Sequence, residues 1–218
     1  MSILIRHTKS RQDMLKALSE GLVSKTVPAG LSGNVLEILH HAAPILDPVC
    51  FHHAAHKFCV SVSLNRGNET GPEQPILCGT ASLPFQENVF SMVLLHHVVS
   101  NGVEPELDEA VRVLARDGVL LILGINRLGW RFRTQDRFRT LPGISPLKVK
   151  TQLDRLDMDL QNFAGAGLFG LKRPVFMGSG LARLGSPIAD VVLVHARHRS
   201  GPEMTPLNRS RVVQSTPW

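Results

Sequence analysis

Residues 83–130 read LPFQENVFSMVLLHHVVSNGVEPELDEAVRVLARDGVLLILGINRLGW and decide the fold of this 218-residue chain. Residues 90–96 form an apolar run of strand length, and residues 106–115 repeat apolar side chains at helical spacing. Asp117 and Gly118 then turn the chain into a second apolar run, residues 119–124. Continuous apolar strands that alternate with helices predict a parallel sheet covered by helices on both faces.

The flanking sequence extends this alternation in both directions. We expect helices over residues 11–23, part of 42–56 and 145–156, and strands over residues 34–39, 58–64, 76–78 and 188–196. These elements predict an α/β domain over residues 34–199, preceded by a helical lead-in, residues 1–33, and followed by a flexible basic tail, residues 200–218.

Composition excludes several classes of protein. Hydrophobic residues make up 43% of the chain and charged residues 19%, and no apolar run approaches the roughly 20 residues that cross a bilayer. Three cysteines without a CxxC pair predict a reducing, cytoplasmic compartment. The absence of tyrosine argues against a stacking platform for single-stranded nucleic acid.

Positive charge is concentrated in one segment, which we call the basic arm. Its arginines are balanced only by Asp136, and they predict contact with an acidic or phosphate-bearing surface, including that of a partner protein. A solvated basic face is the alternative. The residues concerned are Arg127, Arg131, Arg133, Arg137 and Arg139.

The order of these features resembles the middle of class I S-adenosylmethionine (SAM)-dependent methyltransferases, in particular the type 11-like group. The shared pattern is an LPF turn, a strand ending in His, a helix ending in Arg-Val-Leu, and a Gly turn into a strand that ends near Asn and Trp. The resemblance covers about residues 35–133. It implies a Rossmann-like fold with a largely parallel seven-stranded sheet, SAM as cofactor, and an acceptor site bordered by Asn126 and Trp130.

The resemblance also implies which positions line the cofactor pocket. The glycine-rich turn of the family corresponds to residues 35–43, which contain Glu37 but no glycine. The resemblance implies that the imidazoles of His40 and His41 fill space that the cofactor normally needs. Three family carboxylates correspond to Thr80, Ser91 and Ser100, and the strand ending at Ser63 offers no acid. The cofactor-lining positions are therefore Glu37, His40, Ser63, Thr80, Ala81, Leu83 and His97.

These losses predict a degenerate pocket. Each charged hydrogen bond that is lost forgoes about 1.5–3 kcal/mol, so several losses move a micromolar affinity toward the millimolar range. The first hypothesis is therefore a noncatalytic pseudo-methyltransferase subunit or partner-binding scaffold, with no catalytic residue. The second is an active small-molecule methyltransferase in which Glu37 and Thr80 replace the missing acids.

Paired histidines supply the third hypothesis, a metal- or haem-binding module. His40-His41 and His96-His97 follow strands that are neighbours in the predicted sheet, and His52 and His56 are spaced to share a helix face. Neighbouring residues on a strand point to opposite faces, and no Cys or Asp stands at a recognised ligand spacing, so no metal ligand is assigned. Clustered acids are expected on solvated faces: Glu106, Asp108, Glu109, Asp154, Asp157 and Asp159.

Overall fold

The computed structural model describes residues 15–27, 31–39, 45–46, 54–61, 76–77, 82–99, 104–129, 143–167 and 189–199. The helices are α1 (residues 15–26), α2 (Glu104–Val113) and α3 (Pro146–Arg155). The strands are β1 (Gly33–Leu39), β2 (Ala54–Ser61), β3 (Ile76–Leu77), β4 (Phe90–His96), β5 (Leu114–Asn126), β6 (Gly143–Ile144), β7 (Met158–Ala166) and β8 (Val191–His198).

The strands form one mixed sheet in the order β3-β2-β1-β4-β5-β8-β7. Strands β1 to β5 pair in parallel, and β8 runs antiparallel to both of its neighbours, β5 and β7. The prediction of a largely parallel α/β sheet is confirmed. Seven strands lie on this path, and an eighth strand of two residues, β6, pairs with the end of β5.

Two apolar layers cover the central strands. On one face Leu36 and Ile38 of β1 pack with α2 and α3, represented by Leu107 and Leu153. On the other face the alternate strand residues, such as Val35, pack with α1. Residues 119–125 of β5 are buried without a break, because both faces of this strand are covered.

Helix α1 belongs to this core. Leu18, Leu22 and Val23 are buried at helical spacing and join the same cluster as Met92 and Leu94 of β4. The helix predicted over residues 11–23 extends to residue 26, and the described part of the lead-in therefore packs on the sheet.

The Asp117-Gly118 turn lies inside β5. Phe90 of β4 pairs with Leu114 of β5, and Met92 pairs with Val119. Between these two pairs β5 has more residues than β4, and the extra residues loop out of the pairing. A Cβ at Gly118 would lie 2.7 Å from the Leu114 side chain and 2.8 Å from a backbone oxygen. Glycine is therefore required by the close approach of the chain to itself.

Two elements differ from the predictions. The second strand was expected to start at residue 58, but β2 starts at Ala54 and includes His56, which lies in the range expected to be helical in part. Strand β7 was not predicted because its sequence, MDLQNFAGA, carries no β-branched residue; it forms by pairing with β8.

No helix in the described ranges is long and apolar enough to cross a membrane.

Two leucine substitutions test the place of α1 in the core. Leu22 is 0% exposed and Leu147, on α3, is 78% exposed. We expect Leu22→Ala to lower the free energy of unfolding by about 2–5 kcal/mol. The matched control, Leu147→Ala, should change it by less than about 0.5 kcal/mol. Urea unfolding followed by circular dichroism measures both, and equal effects would contradict the packing of α1.

Candidate functional site

The candidate site lies where β1 and β4 end, side by side in the centre of the sheet. Leu39 is paired with His96, and the backbone N–H of His97 donates to the carbonyl of Leu123 on β5 at 2.9 Å. In open parallel sheets ligands bind outside the carboxyl ends of the strands. The carboxyl ends of β1 and β4 therefore mark the candidate cleft.

Glu37 is the fully buried carboxylate of this region. One oxygen, Oε1, accepts the backbone N–H of Ile45 at 3.0 Å, and Oε2 accepts that of Leu46 at 3.2 Å. His96 Nδ1 lies 3.1 Å from Oε1. Because each oxygen has a donor from the protein, Glu37 ties the segment after β1 to the strands beneath it.

The two imidazoles at the end of β4 differ in their surroundings. Their ring centroids lie 4.8 Å apart with a tilt of 40°. His96 is 3% exposed and bound to Glu37, whereas Nδ1 of His97 is buried without a hydrogen-bond partner in the described part of the chain. Only His96 is therefore held by the Glu37 network.

His97 also has an uncommon backbone. Its φ is 55°, in the left-handed region that non-glycine residues rarely adopt. Burial of the imidazole, and then the neighbouring His96, lower the pKa of His97 to about 3. The ring is therefore neutral across the physiological range and offers hydrogen bonding without charge.

Helix α2 holds the LPF turn through an ion pair. Arg112 Nε donates to Glu109 Oε1 at 2.8 Å, and Arg112 Nη2 donates to the carbonyl of Phe85 at 3.0 Å. Glu109 Oε2 accepts the backbone N–H of Leu83 at 2.9 Å. The prediction of Glu109 as a solvated acid is wrong, because the turn covers it; Asp108 on the same helix is exposed as expected.

Asn126 closes the carboxyl end of β5. Its side chain is fully buried, donates to the carbonyl of Ala189 at 3.0 Å and accepts the N–H of Leu128 at 3.1 Å. A Cβ at Gly129 would lie 2.8 Å from the same Ala189 carbonyl. The amide thus fixes the turn that leads from β5 into the basic arm.

The structure brings together some of the predicted site residues. Glu37 and His97 lie at the cleft, Leu83 is buried in the LPF turn, and Arg127 is exposed after β5 with its N–H on the carbonyl of Ile144 at 3.2 Å. The remaining predicted positions lie outside the described residues: His40, Ser63, Thr80, Ala81, Trp130, Arg131, Arg133, Arg137 and Arg139.

The metal hypothesis loses one of its supports. His56 lies in β2, so the helix face that it was expected to share with His52 does not include it. Within the described ranges no group of three or more His, Cys, Asp or Glu side chains could hold a metal ion. His40, His41, His52 and His53 lie outside those ranges.

Several of the contacts at the site were not predicted from the sequence. The pairing of Glu37 with His96 joins residues 59 apart, and the amides of Ile45 and Leu46 are backbone donors. One signal was available for the clamp on the LPF turn, namely Glu109 and Arg112 at a spacing of i, i+3 on α2.

Comparison with solved structures identifies the fold. A SAM-dependent methyltransferase from Thermotoga maritima superposes with a TM-score of 0.60 at 13% identity, covering 91% of this chain and 96% of that one. A SAM-dependent methyltransferase from Archaeoglobus fulgidus superposes with a TM-score of 0.58 at 13% identity, covering 83% and 93%.

A third similar structure is a complex. It contains the Trm112 methyltransferase activator of Haloferax volcanii and a protein assigned as a methyltransferase, with a TM-score of 0.59, 8% identity, and coverage of 88% and 95%. No protein-family model matches the sequence, and no curated protein matches it. The chain has the class I methyltransferase fold, as its sequence predicts.

The Glu37 network generates a stability prediction. Glu37→Gln replaces one carboxylate oxygen with an NH2 group, which cannot accept a hydrogen bond. One of the backbone N–H groups of residues 45 and 46 then loses its acceptor. We expect the free energy of unfolding to fall by about 1–3 kcal/mol. Amide hydrogen exchange at Ile45 and Leu46 should accelerate more than exchange in α2; unchanged exchange at both amides would contradict the assigned role.

The clamp on the LPF turn generates a pH prediction. The hydrogen bond from Arg112 holds the pKa of Glu109 below its ordinary value, so the ionised pair stabilises the folded chain at neutral pH. Glu109→Gln should cost about 1 kcal/mol at pH 7. This difference from the wild type should shrink as the pH falls below the ordinary pKa of glutamate, because the unfolded chain and then the folded chain take up the proton.

Urea unfolding between pH 7 and acid measures this difference, with Asp108→Asn as the matched control. Asp108 is exposed on the same helix. A loss in Asp108→Asn as large as that in Glu109→Gln would show that helix charge, rather than the clamp, sets the effect.

Proposed function

We propose that this chain is a noncatalytic protein with the methyltransferase fold, which acts as a subunit or scaffold by binding a partner protein. The observation that carries the proposal is Leu39. It lies within residues 35–43, which the resemblance matches to the glycine-rich turn of the family, at the end of β1, and its side chain is 4% exposed. A buried leucine fills volume where the absence of a side chain lets a cofactor approach the backbone.

The carboxylate near Leu39 supports the same proposal, because Glu37 already has a protein donor on each oxygen. Ser91, at the position of a family aspartate, lies at the other, amino end of β4 beside Gly33 and does not line the cleft. The described part of the cleft floor offers a neutral imidazole, His97. In the sequence, Ser63 and Thr80 stand where the resemblance implies acids that bind the ribose hydroxyls and the adenine amino group. These substitutions remove charged hydrogen bonds that SAM would need.

Partner binding is supported by the surface at the end of β5. The buried Asn126 amide fixes the turn that starts the basic arm, and Arg127 is exposed there. A rigid support lowers the entropy cost of presenting an arginine-rich segment to a partner. The Haloferax volcanii structure adds an example of this fold in a complex with a methyltransferase activator. We propose that the partner presents acidic or phosphate-bearing groups and that the complex acts in the cytoplasm.

The second candidate is an active small-molecule methyltransferase with an atypical pocket. It is favoured by the retained Glu37, which orders the segment after β1, and by the likeness to SAM-dependent enzymes over most of the chain. In this case Glu37, Thr80 and backbone groups hold the cofactor. Asn126 and Trp130 then border the acceptor, and catalysis consists chiefly of positioning for in-line transfer.

The third candidate, a metal- or haem-binding module, keeps the histidines that follow β1. It depends on His40 and His41 meeting His97 at the carboxyl ends of β1 and β4. Metal analysis and a visible absorption spectrum of the purified protein would test this candidate directly.

Calorimetric titration with SAM and with S-adenosylhomocysteine separates the first two candidates. We expect no measurable heat, or a dissociation constant in the millimolar range, because several charged contacts are missing. The Archaeoglobus fulgidus protein, titrated under the same conditions, is the positive control. A dissociation constant in the low micromolar range would refute the noncatalytic proposal, and a methyl-transfer assay would then follow.

The partner proposal has its own test. The chain would be tagged and purified from cells that produce it naturally, alongside a variant in which the five arm arginines are replaced by serine. A specific partner should be recovered in stoichiometric amounts with the wild type and lost with the variant. Recovery of a lone monomer, or equal recovery with both chains, would contradict a role for the basic arm.

A further inference from the structure

Few large apolar side chains are exposed in the described part of the chain, and two of them lie beyond the carboxyl end of β5. The three that are exposed there are Leu160 on β7 at 36%, Leu128 at 52% and Leu147 at 78%. A single exposed leucine is ordinary on a protein surface, whereas grouped apolar side chains mark a place of contact. The surroundings of Leu128 and Leu147 therefore decide whether they act together.

Backbone contacts bring Leu128 and Leu147 to the same end of the sheet. Asn126 of β5 pairs with Ile144 of β6, and the N–H of Arg127 donates to the Ile144 carbonyl at 3.2 Å. Leu128 is the next residue along the chain, and Leu147 lies three residues beyond Ile144, in the first turn of α3. Both leucines therefore lie at the carboxyl end of the β5–β6 pair.

The backbones of both leucines are fixed. The N–H of Leu128 donates to Asn126 Oδ1 at 3.1 Å, and the Asn126 side chain is itself buried. The carbonyl of Leu147 accepts the hydroxyl of Thr151 at 3.1 Å, one turn along α3. An exposed side chain on a fixed backbone loses less conformational freedom on binding than one on a loose segment does.

The charge around the two leucines is positive. Arg127 and Lys148 each adjoin one of the leucines in the chain, and both side chains are exposed. Residues 119–129 and 143–153 contain no Asp or Glu. The first turn of α3 therefore has no acid to offset the positive end of the helix dipole, which adds to the local potential.

In the sequence the same sign of charge extends between the two leucines. Residues 118–153 contain seven Lys and Arg against one acid, Asp136, and this excess of six equals the formal net charge of +6 of the whole chain. Of these cations, Lys150 is paired with Asp154 at 3.3 Å. A cation in the first turn of a helix opposes the helix dipole, so contact with an anion accounts for Lys148 better than stability does.

Aromatic residues accompany the charge in the sequence. Trp130, Phe132 and Phe138 each stand next to an arginine in the segment between the two leucines. Aromatic and aliphatic side chains interspersed with Arg and Lys are the composition of segments that lie at a membrane interface.

Apolar and cationic groups together select among anionic surfaces. The phosphates of a nucleic acid would engage the cations but leave the leucines in water. A second copy of the chain, in a two-fold contact, would place the same positive surface against itself. An anionic bilayer offers headgroup phosphates to the cations and an acyl boundary to the apolar side chains.

We propose that a surface of four residues, here called the leucine–cation patch, binds peripherally to an anionic lipid bilayer. Its cations meet the headgroup phosphates, and its leucines enter the boundary between headgroups and acyl chains. The inference goes beyond the proposed function and does not rest on it, because it requires neither a degenerate cofactor pocket nor a partner protein. The patch consists of Arg127, Leu128, Leu147 and Lys148.

Co-sedimentation of the purified full chain with vesicles tests the proposal. Vesicles of phosphatidylcholine with about 30% phosphatidylglycerol supply the anionic surface, and vesicles of phosphatidylcholine alone are the neutral reference. We expect binding to the anionic vesicles only, and weaker binding when NaCl is raised from about 50 to about 300 mM, because salt screens the attraction.

Variants separate the two contributions. Lys148→Gln should weaken vesicle binding about fivefold, the effect of one cation near an anionic membrane. The double variant Leu128→Ser/Leu147→Ser should weaken it about tenfold or more, because two apolar side chains no longer leave water. Leu160→Ser on β7 and Lys16→Gln on α1 are the matched controls, exposed and outside the patch, and should bind as the wild type does. Circular dichroism checks that each variant is folded.

Four results would overturn the proposal. The first is no binding to anionic vesicles, and the second is equal binding to neutral ones. The third is a loss with Lys148→Gln but none with the double leucine variant, which would assign the surface to phosphates alone, such as those of a nucleic acid. The fourth is a wild-type dimer that the double leucine variant dissociates while vesicle binding is unchanged, which would assign the leucines to a second copy.

The vesicle assay contains neither SAM nor a partner protein. Tight binding of SAM, or failure to recover a partner, would refute the proposed function and leave the vesicle result standing.

Discussion

The buried carboxylate of Glu37 is the interaction on which the centre of this structure depends. An ionised carboxylate away from water is costly unless hydrogen bonds satisfy it, and here backbone donors from Ile45 and Leu46 and the imidazole of His96 do so. These bonds join β1, β4 and residues 45 and 46. The ends of the two central strands and these two residues are therefore held together.

A second set of hydrogen bonds holds the turn that precedes β4. The Glu109–Arg112 pair on α2 binds backbone groups at Leu83 and Phe85, and so fixes the turn that leads into β4. Asn126 does the same for the turn that leaves β5. In each case a polar side chain satisfies backbone groups that a turn would leave unpaired. Glu109, Arg112 and Asn126 thus fix the turns that connect to β4 and β5.

Much of the fold follows from the sequence, and less of the site does. The apolar run predicts the limits of β4 to the residue, and the helix predicted over residues 11–23 is present over its described part, with Leu18, Leu22 and Val23 buried. The spacing of apolar residues indicates which face of a helix or strand is buried, and this can be recognised within one short segment. Strand β7 and the early start of β2 depend on pairing with distant strands, and the Glu37–His96 contact spans 59 positions. Residue spacing along the chain does not predict contacts between residues so far apart. The sequence therefore identified the paired histidines but not the partner of His96, which is Glu37.

The residues that this chain shares with the methyltransferase pattern make contacts within the protein. Residues 83–130 keep the family pattern at Leu83, whose side chain packs in the core, and at Arg112 and Asn126, whose side chains bind backbone carbonyls. Selection for stability alone retains such residues, because losing one leaves a cavity or an unsatisfied group. Ser91 lies at the amino end of β4, where Gly33 approaches it closely, so the residue at this position does not report on the cleft at the carboxyl end. The motif is thus evidence of the fold, and evidence of activity must come from groups that face the cleft.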